Sequence, residues 1–193
     1  MIKAKNLYFK YEDDFVLKNI SLEIKEGSFT AIIGANGSGK TTLAKHFNAL
    51  LVPAKGEVFV DKISTKKDEL NARKKVGFVF QNFEDQLVYS IVEEDIRFGL
   101  ENLGLNNEDI KKKVDEILKE LNIMHLSKHN VNILSMGQKQ LVALAGVLAM
   151  KPNYIIFDEP TTNLDEKNKK NIMNIIKELN KKGKITIILI TNV

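Results

Sequence analysis

Residues Gly34-Ala35-Asn36-Gly37-Ser38-Gly39-Lys40-Thr41 fit the pattern G-x-x-x-x-G-K-[ST], set between Phe29 to Ile33, which reads as a short buried strand, and a helical stretch, Thr41 to Leu51. A strand before and a helix after is the setting in which such a loop cradles phosphate. The glycines permit a tight turn, and successive N–H groups and the helix N-terminus then face an anion. Lys40 is placed to reach the β- and γ-phosphates of a nucleoside triphosphate, Thr41 to ligate Mg²⁺, and Thr42 to continue the same binding set. A second pair of groups completes the chemistry. The apolar run Tyr154-Ile155-Ile156-Phe157 ends in Asp158-Glu159, so a buried strand delivers two adjacent carboxylates at its C-terminal end, where parallel sheets collect ligands. Asp158 can hold the Mg²⁺ shell, and Glu159 can orient or deprotonate a water attacking the terminal phosphate.

Those groups must be positioned by a sheet, and the rest of the chain supplies one. Ile2 to Lys25 alternates in places (Ile20, Leu22, Ile24), as antiparallel strands with one buried face do. Gly56 to Val60 and Val76 to Phe80 read as further strands, and Ile185 to Ile190 as a last buried one. From about Asn82 to Met150 the pattern is helical. There Asn107 is the expected N-cap of a helix that places Ile110, Val114, Ile117, Leu118 and Leu121 on one face. A polar helix is expected from about Glu166 to Lys182. The reading is a single α/β domain over residues 1–193: a phosphate-loop core, an antiparallel β subdomain, and a helical subdomain inserted at about 82–150.

Composition narrows the class further. At 193 residues and 44% hydrophobic, the chain can bury a sizeable core. With no cysteine it has neither a disulfide frame nor a thiolate metal site. The apolar run Leu141 to Met150 is far short of the roughly 20 residues that cross a bilayer, and the N-terminus is too charged for a signal peptide. Net charge is +4, but the excess is lysine spread along the chain, with Arg73 and Arg97 the only arginines. Lys111-Lys112-Lys113 and Lys181-Lys182 therefore read as solvated helix faces, and no nucleic-acid partner is expected. His46, His125 and His129 lack metal-ligand spacing.

The chain closely resembles the nucleotide-binding subunit of ABC (ATP-binding cassette) transporters, over essentially its whole length. Leu134-Ser135-Met136-Gly137-Gln138 resembles the family's LSGGQ signature, Asp158-Glu159-Pro160 its Walker B extension, and Asn163-Leu164-Asp165 its D-loop. Gln81 matches the Q-loop glutamine and Tyr11 the aromatic residue on which adenine stacks. The resemblance implies an ATPase using ATP and Mg²⁺, with Gln81 joining Thr41 and Asp158 at the metal and coupling the site to membrane partners. It implies a head-to-tail pair with a second ABC ATPase subunit, in which Ser135, Met136, Gly137 and Gln138 of one copy close over ATP held by the other. Phe80 to Leu105 is similar to the corresponding region of energy-coupling factor and cobalt/nickel importers, which take up vitamins or metal ions. That likeness implies a transmembrane coupling subunit docked near Glu84, Asp85, Gln86, Leu87, Val88 and Tyr89, and a peripheral place on the cytoplasmic face of the membrane. The competing expectation for Leu87, Val88 and Tyr89 is that they fill the core of the helical subdomain.

Two positions depart from the family pattern. Met136 stands where the signature usually has glycine, and would be strained by about 1–2 kcal/mol if the position needed φ > 0. Asn192 stands at the place of the family's switch histidine; it can donate a hydrogen bond to the γ-phosphate but cannot carry a proton. Slower hydrolysis is expected, and related subunits continue beyond the position of Val193. A truncated or degenerate regulatory partner with little ATPase activity is therefore the alternative. An ABC ATPase of DNA repair would need a long coiled-coil or zinc insertion between Gln81 and Ser135, and a translation-type protein a second cassette. The sequence has none of these.

Overall fold

The computed structural model describes residues 1–162, 164–183 and 185–192. Asn163 of the D-loop match and Val193 lie outside the described residues. Two compact units are formed, one from Met1–Phe78, Pro152–Glu159 and Ile172–Val193, the other from Val79–Lys151 and Pro160–Asn171.

The first unit holds two sheets. Strands β1 (Ile2–Lys10) and β2 (Phe15–Ile24) pair antiparallel, and with β4 (Lys55–Val60) and β5 (Ile63–Ser64) they make a sheet of order β2-β1-β4-β5. Alternation, interrupted by a register shift between Ala4 and Leu7, places Ile2, Ala4, Leu7 and Phe9 of β1 in the core. The second sheet has the order β3-β8-β7-β6, from β3 (Phe29–Ile33), β8 (Thr186–Thr191), β7 (Tyr154–Asp158) and β6 (Val76–Val79). Strands β3, β8 and β7 run parallel; β3, expected to be buried, is an edge strand on which Phe29 and Ile33 are exposed, whereas β7 is buried along its whole length. That is why Tyr154-Ile155-Ile156-Phe157 reads as an unbroken apolar run rather than an alternating one. Asp61 joins the two sheets: it accepts hydrogen bonds from Tyr154 Oη at 2.5 Å and Lys75 Nζ at 2.9 Å. Burial alone would raise its carboxyl, but these donors and the α-amino group outweigh it and hold the pKa at about 2.

Helix α1 (Lys40–Phe47) follows the glycine-rich loop. It stops short of the expected Leu51 because Ala49 takes φ 58°, in the left-handed region, and the N–H groups of Leu50 and Leu51 turn back to Lys45 O. Short α2 (Glu69–Lys75) leads into β6, and α6 (Glu166–Gly183) precedes β8.

The second unit is built around α3 (Val92–Asn102), α4 (Asn107–Glu120) and α5 (Met136–Ala149). The cap of α4 is Asn106 rather than Asn107: its side chain accepts from Asp109 N at 2.9 Å. Ile110, Val114, Ile117, Leu118 and Leu121 are all buried, as their spacing predicts. Among the described residues no helix is long and apolar enough to cross a membrane. Lys111, Lys112, Lys181 and Lys182 are solvent-exposed.

His46 is buried within the first unit. Its ring meets Phe9 edge-on at 4.7 Å between centroids, Nδ1–H donates to Thr42 O at 2.8 Å, and Nε2 is buried with no hydrogen-bond partner among the described residues. Burial holds its pKa below the ordinary histidine value, the Thr42 carbonyl only partly opposing it. A depressed folded-state pKa makes this contribution complete above about pH 6.5, the unfolded value, and diminishing as the pH falls below it. Thermal melting of the wild type should therefore drop between pH 7.5 and 5.5, and His46→Leu should flatten that dependence. Parallel melting curves across the interval would contradict the assignment.

Candidate nucleotide-binding site

The glycine-rich loop connects β3 to α1 with two left-handed residues, Gly37 at φ 77° and Gly39 at φ 90°. A side chain at either would be strained, and a Cβ on Gly39 would also lie 3.1 Å from Leu17. Ser38 N–H donates to Ala35 O at 3.2 Å and closes the turn. Lys40 folds back over it, only 9% exposed. Its ammonium donates to Gly34 O at 2.9 Å, Ala35 O at 3.0 Å and Asn192 Oδ1 at 2.8 Å.

The end of β7 faces the same place. Asp158 is 3% exposed and accepts from the Thr41 hydroxyl at 2.8 and 3.0 Å on its two oxygens. Burial raises its carboxyl above the ordinary range; the Thr41 hydroxyl opposes this, and the nearby Glu159 charge adds to it. A buried carboxylate with a neutral hydroxyl as its hydrogen-bonding partner suits a divalent cation. Among the described residues no group of three or more His, Cys, Asp or Glu is placed to hold a metal ion by itself. Mg²⁺ is commonly bound in that way, through one or two protein oxygens plus substrate phosphates.

Glu159 follows at φ 47°, its N–H donating to Ile190 O at 3.0 Å. Asn192 Nδ2 donates to Glu159 Oε1 at 2.7 Å. Tyr11 is 60% exposed, with its ring edge-on to Phe9 at 4.9 Å and its hydroxyl 3.3 Å from Thr42 Oγ1. The first unit thus gathers Tyr11, the loop from Gly34 to Thr42, Asp158, Glu159 and Asn192.

Gln81, Ser135, Met136, Gly137, Gln138 and Asp165 belong to the second unit. Gln81 is exposed, just beyond β6. Ser135 caps α5 by accepting from Gln138 N at 3.4 Å while its own N–H donates to Gln138 Oε1 at 3.0 Å, a reciprocal capping box. Met136 is the first helical residue, 40% exposed and outside the left-handed region, so the anticipated strain is absent.

Sequence reasoning missed Asn168. Its backbone and side-chain N–H groups donate to Asp165 at 2.9 and 2.6 Å, and a Cβ on Gly137 would sit 2.7 Å from Asn168 Oδ1. Gly137 is therefore approached closely by a carboxamide that Asp165 holds, while its own torsions are ordinary. The spacing Asp165-x-x-Asn168 at a helix start was the available signal. Leu87 is half-buried, while Val88 and Tyr89 are 62% and 43% exposed, so these two do not fill the core of the second unit.

Glycine-rich loop, lysine, hydroxyl and buried aspartate at the ends of parallel strands define a phosphate-loop nucleotide-binding core. The ABC transporter family profile matches residues 17–162. The energy-coupling factor transporter ATP-binding protein EcfA1 of Clostridium novyi is 50% identical over the whole chain, which covers 71% of that relative. EcfA1 of Clostridioides difficile is 46% identical, with the chain covering 72% of it. Among solved structures, cbiO1 from Clostridium perfringens, part of the ABC transporter complex cbiONQ, has a TM-score of 0.89 at 40% identity, over 100% of this chain and 78% of that one. The dimeric ATP-binding cassette MJ0796 with ADP and Pi has a TM-score of 0.86 at 36% identity, over 99% and 88%. The chain belongs to the ABC transporter family as an ATP-binding, ATP-hydrolysing subunit of the energy-coupling factor type. These relatives lend no support to a degenerate regulatory partner.

The Gly137–Asn168 contact makes a paired prediction. Gly137→Ala should destabilise the protein by about 1–3 kcal/mol through overpacking, and Asn168→Gly should restore part of that loss when combined with it. Denaturant unfolding of the two single variants and the double variant measures the coupling; strict additivity would contradict the contact.

Proposed function

We propose that this chain powers an importer of the energy-coupling factor or cobalt/nickel type, driving uptake of a vitamin or metal ion through separate membrane subunits. The observation that carries the reading is the convergence of Lys40, Thr41, Asp158, Glu159 and Asn192 at one end of the parallel sheet. Lys40 and the backbone N–H groups of Ala35 to Thr41 bind the phosphates, and Thr42 and Tyr11 extend the contact toward the base. Thr41 and Asp158 would hold Mg²⁺. When bound, that ion neutralises charge developing on the phosphate oxygens. Glu159 orients the attacking water and accepts its proton, and Asn192, by donating to Glu159, holds that carboxylate in place.

A second cassette completes the site. Ser135 and Gly137 of one copy close over the phosphates held by the other, with Asp165 at the contact, so binding joins the halves and hydrolysis releases them. The dimeric neighbour with ADP and Pi supports this arrangement. Exposed Val88 and Tyr89, rimmed by Glu84 and Asp85, support docking of a transmembrane coupling subunit on the second unit. The membership of cbiO1 in a larger transporter complex agrees with such a partner, which would hold this chain at the cytoplasmic face of the membrane.

Calorimetry with Mg-ATP should give micromolar to submillimolar affinity, reduced about 10- to 100-fold in Lys40→Ala, the loss expected for charge-assisted hydrogen bonds. Equal affinity in both proteins would move the site elsewhere. In the assembled transporter Glu159→Gln should keep ATP binding while lowering turnover by roughly 10²-fold or more. Phosphate release at the wild-type rate would remove Glu159 from that role.

A further inference from the structure

Asn192 lies just beyond β8, between two opposite charges. An ammonium only donates and an ionised carboxylate only accepts, so the carboxamide has one orientation: Oδ1 on Lys40 at 2.8 Å and Nδ2 on Glu159 at 2.7 Å. With Gly34 O and Ala35 O, Asn192 Oδ1 occupies the last of the donor positions of the Lys40 ammonium. Lys40 cannot engage a phosphate without giving up one of these acceptors. The two carbonyls are fixed in the loop backbone, whereas the carboxamide sits on a rotatable side chain. An anionic phosphate oxygen is also the stronger acceptor.

We propose that Asn192 is a positioning residue that latches Lys40 to Glu159 in the nucleotide-free chain and is released from Lys40 by the arriving phosphates. The inference rests on the nucleotide-binding reading of this site. An imidazolium at this position could not accept from Lys40, whereas the carboxamide does so at any pH where Lys40 is charged. The latch opposes binding because its Lys40 bond must break. It assists the later step because Nδ2 still holds the Glu159 carboxylate in place.

The test is calorimetry of ADP and ATP on the wild type, Asn192→Ala and Asn192→Asp, with Asn192→Ser as a second truncation should the alanine variant fail to fold. Removing the carboxamide should tighten nucleotide binding about three- to tenfold, the scale of one hydrogen bond. Asn192→Asp, with a carboxylate on Lys40, should weaken it about tenfold or more. In steady-state hydrolysis by the assembled transporter, truncation should lower KM and kcat together, a split that loss of structure does not produce. Truncated variants that bind nucleotide no more tightly than the wild type, or that raise KM while lowering kcat, overturn the latch and leave the site intact. A wild type that binds neither nucleotide overturns both.

Discussion

The register of three parallel strands is the constraint on which the site depends. Ile32 pairs with Ile190 and Ile190 with Asp158, so the residues just beyond them leave the sheet side by side. Gly34 opens the phosphate loop, Glu159 carries a carboxylate, and Asn192 closes between them. A slip of one residue in β8 would turn its side chains to the opposite faces and separate Asn192 from both partners. The apolar content of β7 and β8 is therefore a condition of the chemistry, because burial, complete along β7 and nearly so along β8, holds that register.

At that edge each charged group is met by hydrogen bonds with neutral partners. Lys40 rests on carbonyl and carboxamide oxygens, Asp158 on a hydroxyl, and Glu159 accepts from a carboxamide. Neutral partners exchange more readily for phosphate and cation than a buried ion pair would, since breaking such a pair strands an uncompensated charge. The second unit follows a different logic. There Gln138 closes a capping box on Ser135, and Asp165 pins Asn168 against Gly137, so polar side chains set the helix starts.

Much of this was legible in the sequence, for identifiable reasons. The phosphate loop and Asp158-Glu159 are contiguous, and their strand and helix settings are set by local periodicity. Helix ends were less legible: α1 ends where Ala49 turns left-handed, and α4 begins at whichever of two neighbouring asparagines reaches Asp109 N. Met136 looked like a defect because the family pattern has glycine there, yet the torsion it needs is an ordinary helical one. Lys40 and Asn192 are 152 positions apart, and no spacing rule joins them. Gln138 had a signal in the S-x-x-Q pattern, hidden because the same residues also matched a functional signature.

Glu159 carries one more consequence, through its backbone at φ 47°. A left-handed residue with a Cβ costs about 1–2 kcal/mol, which glycine avoids and asparagine reduces. If Glu159 has the role proposed for it, folding and turnover favour different residues at a single position. On the catalytic role proposed for Glu159, a chain that no longer hydrolysed ATP would gain stability by exchanging this carboxylate for glycine, and would be the more durable protein for it.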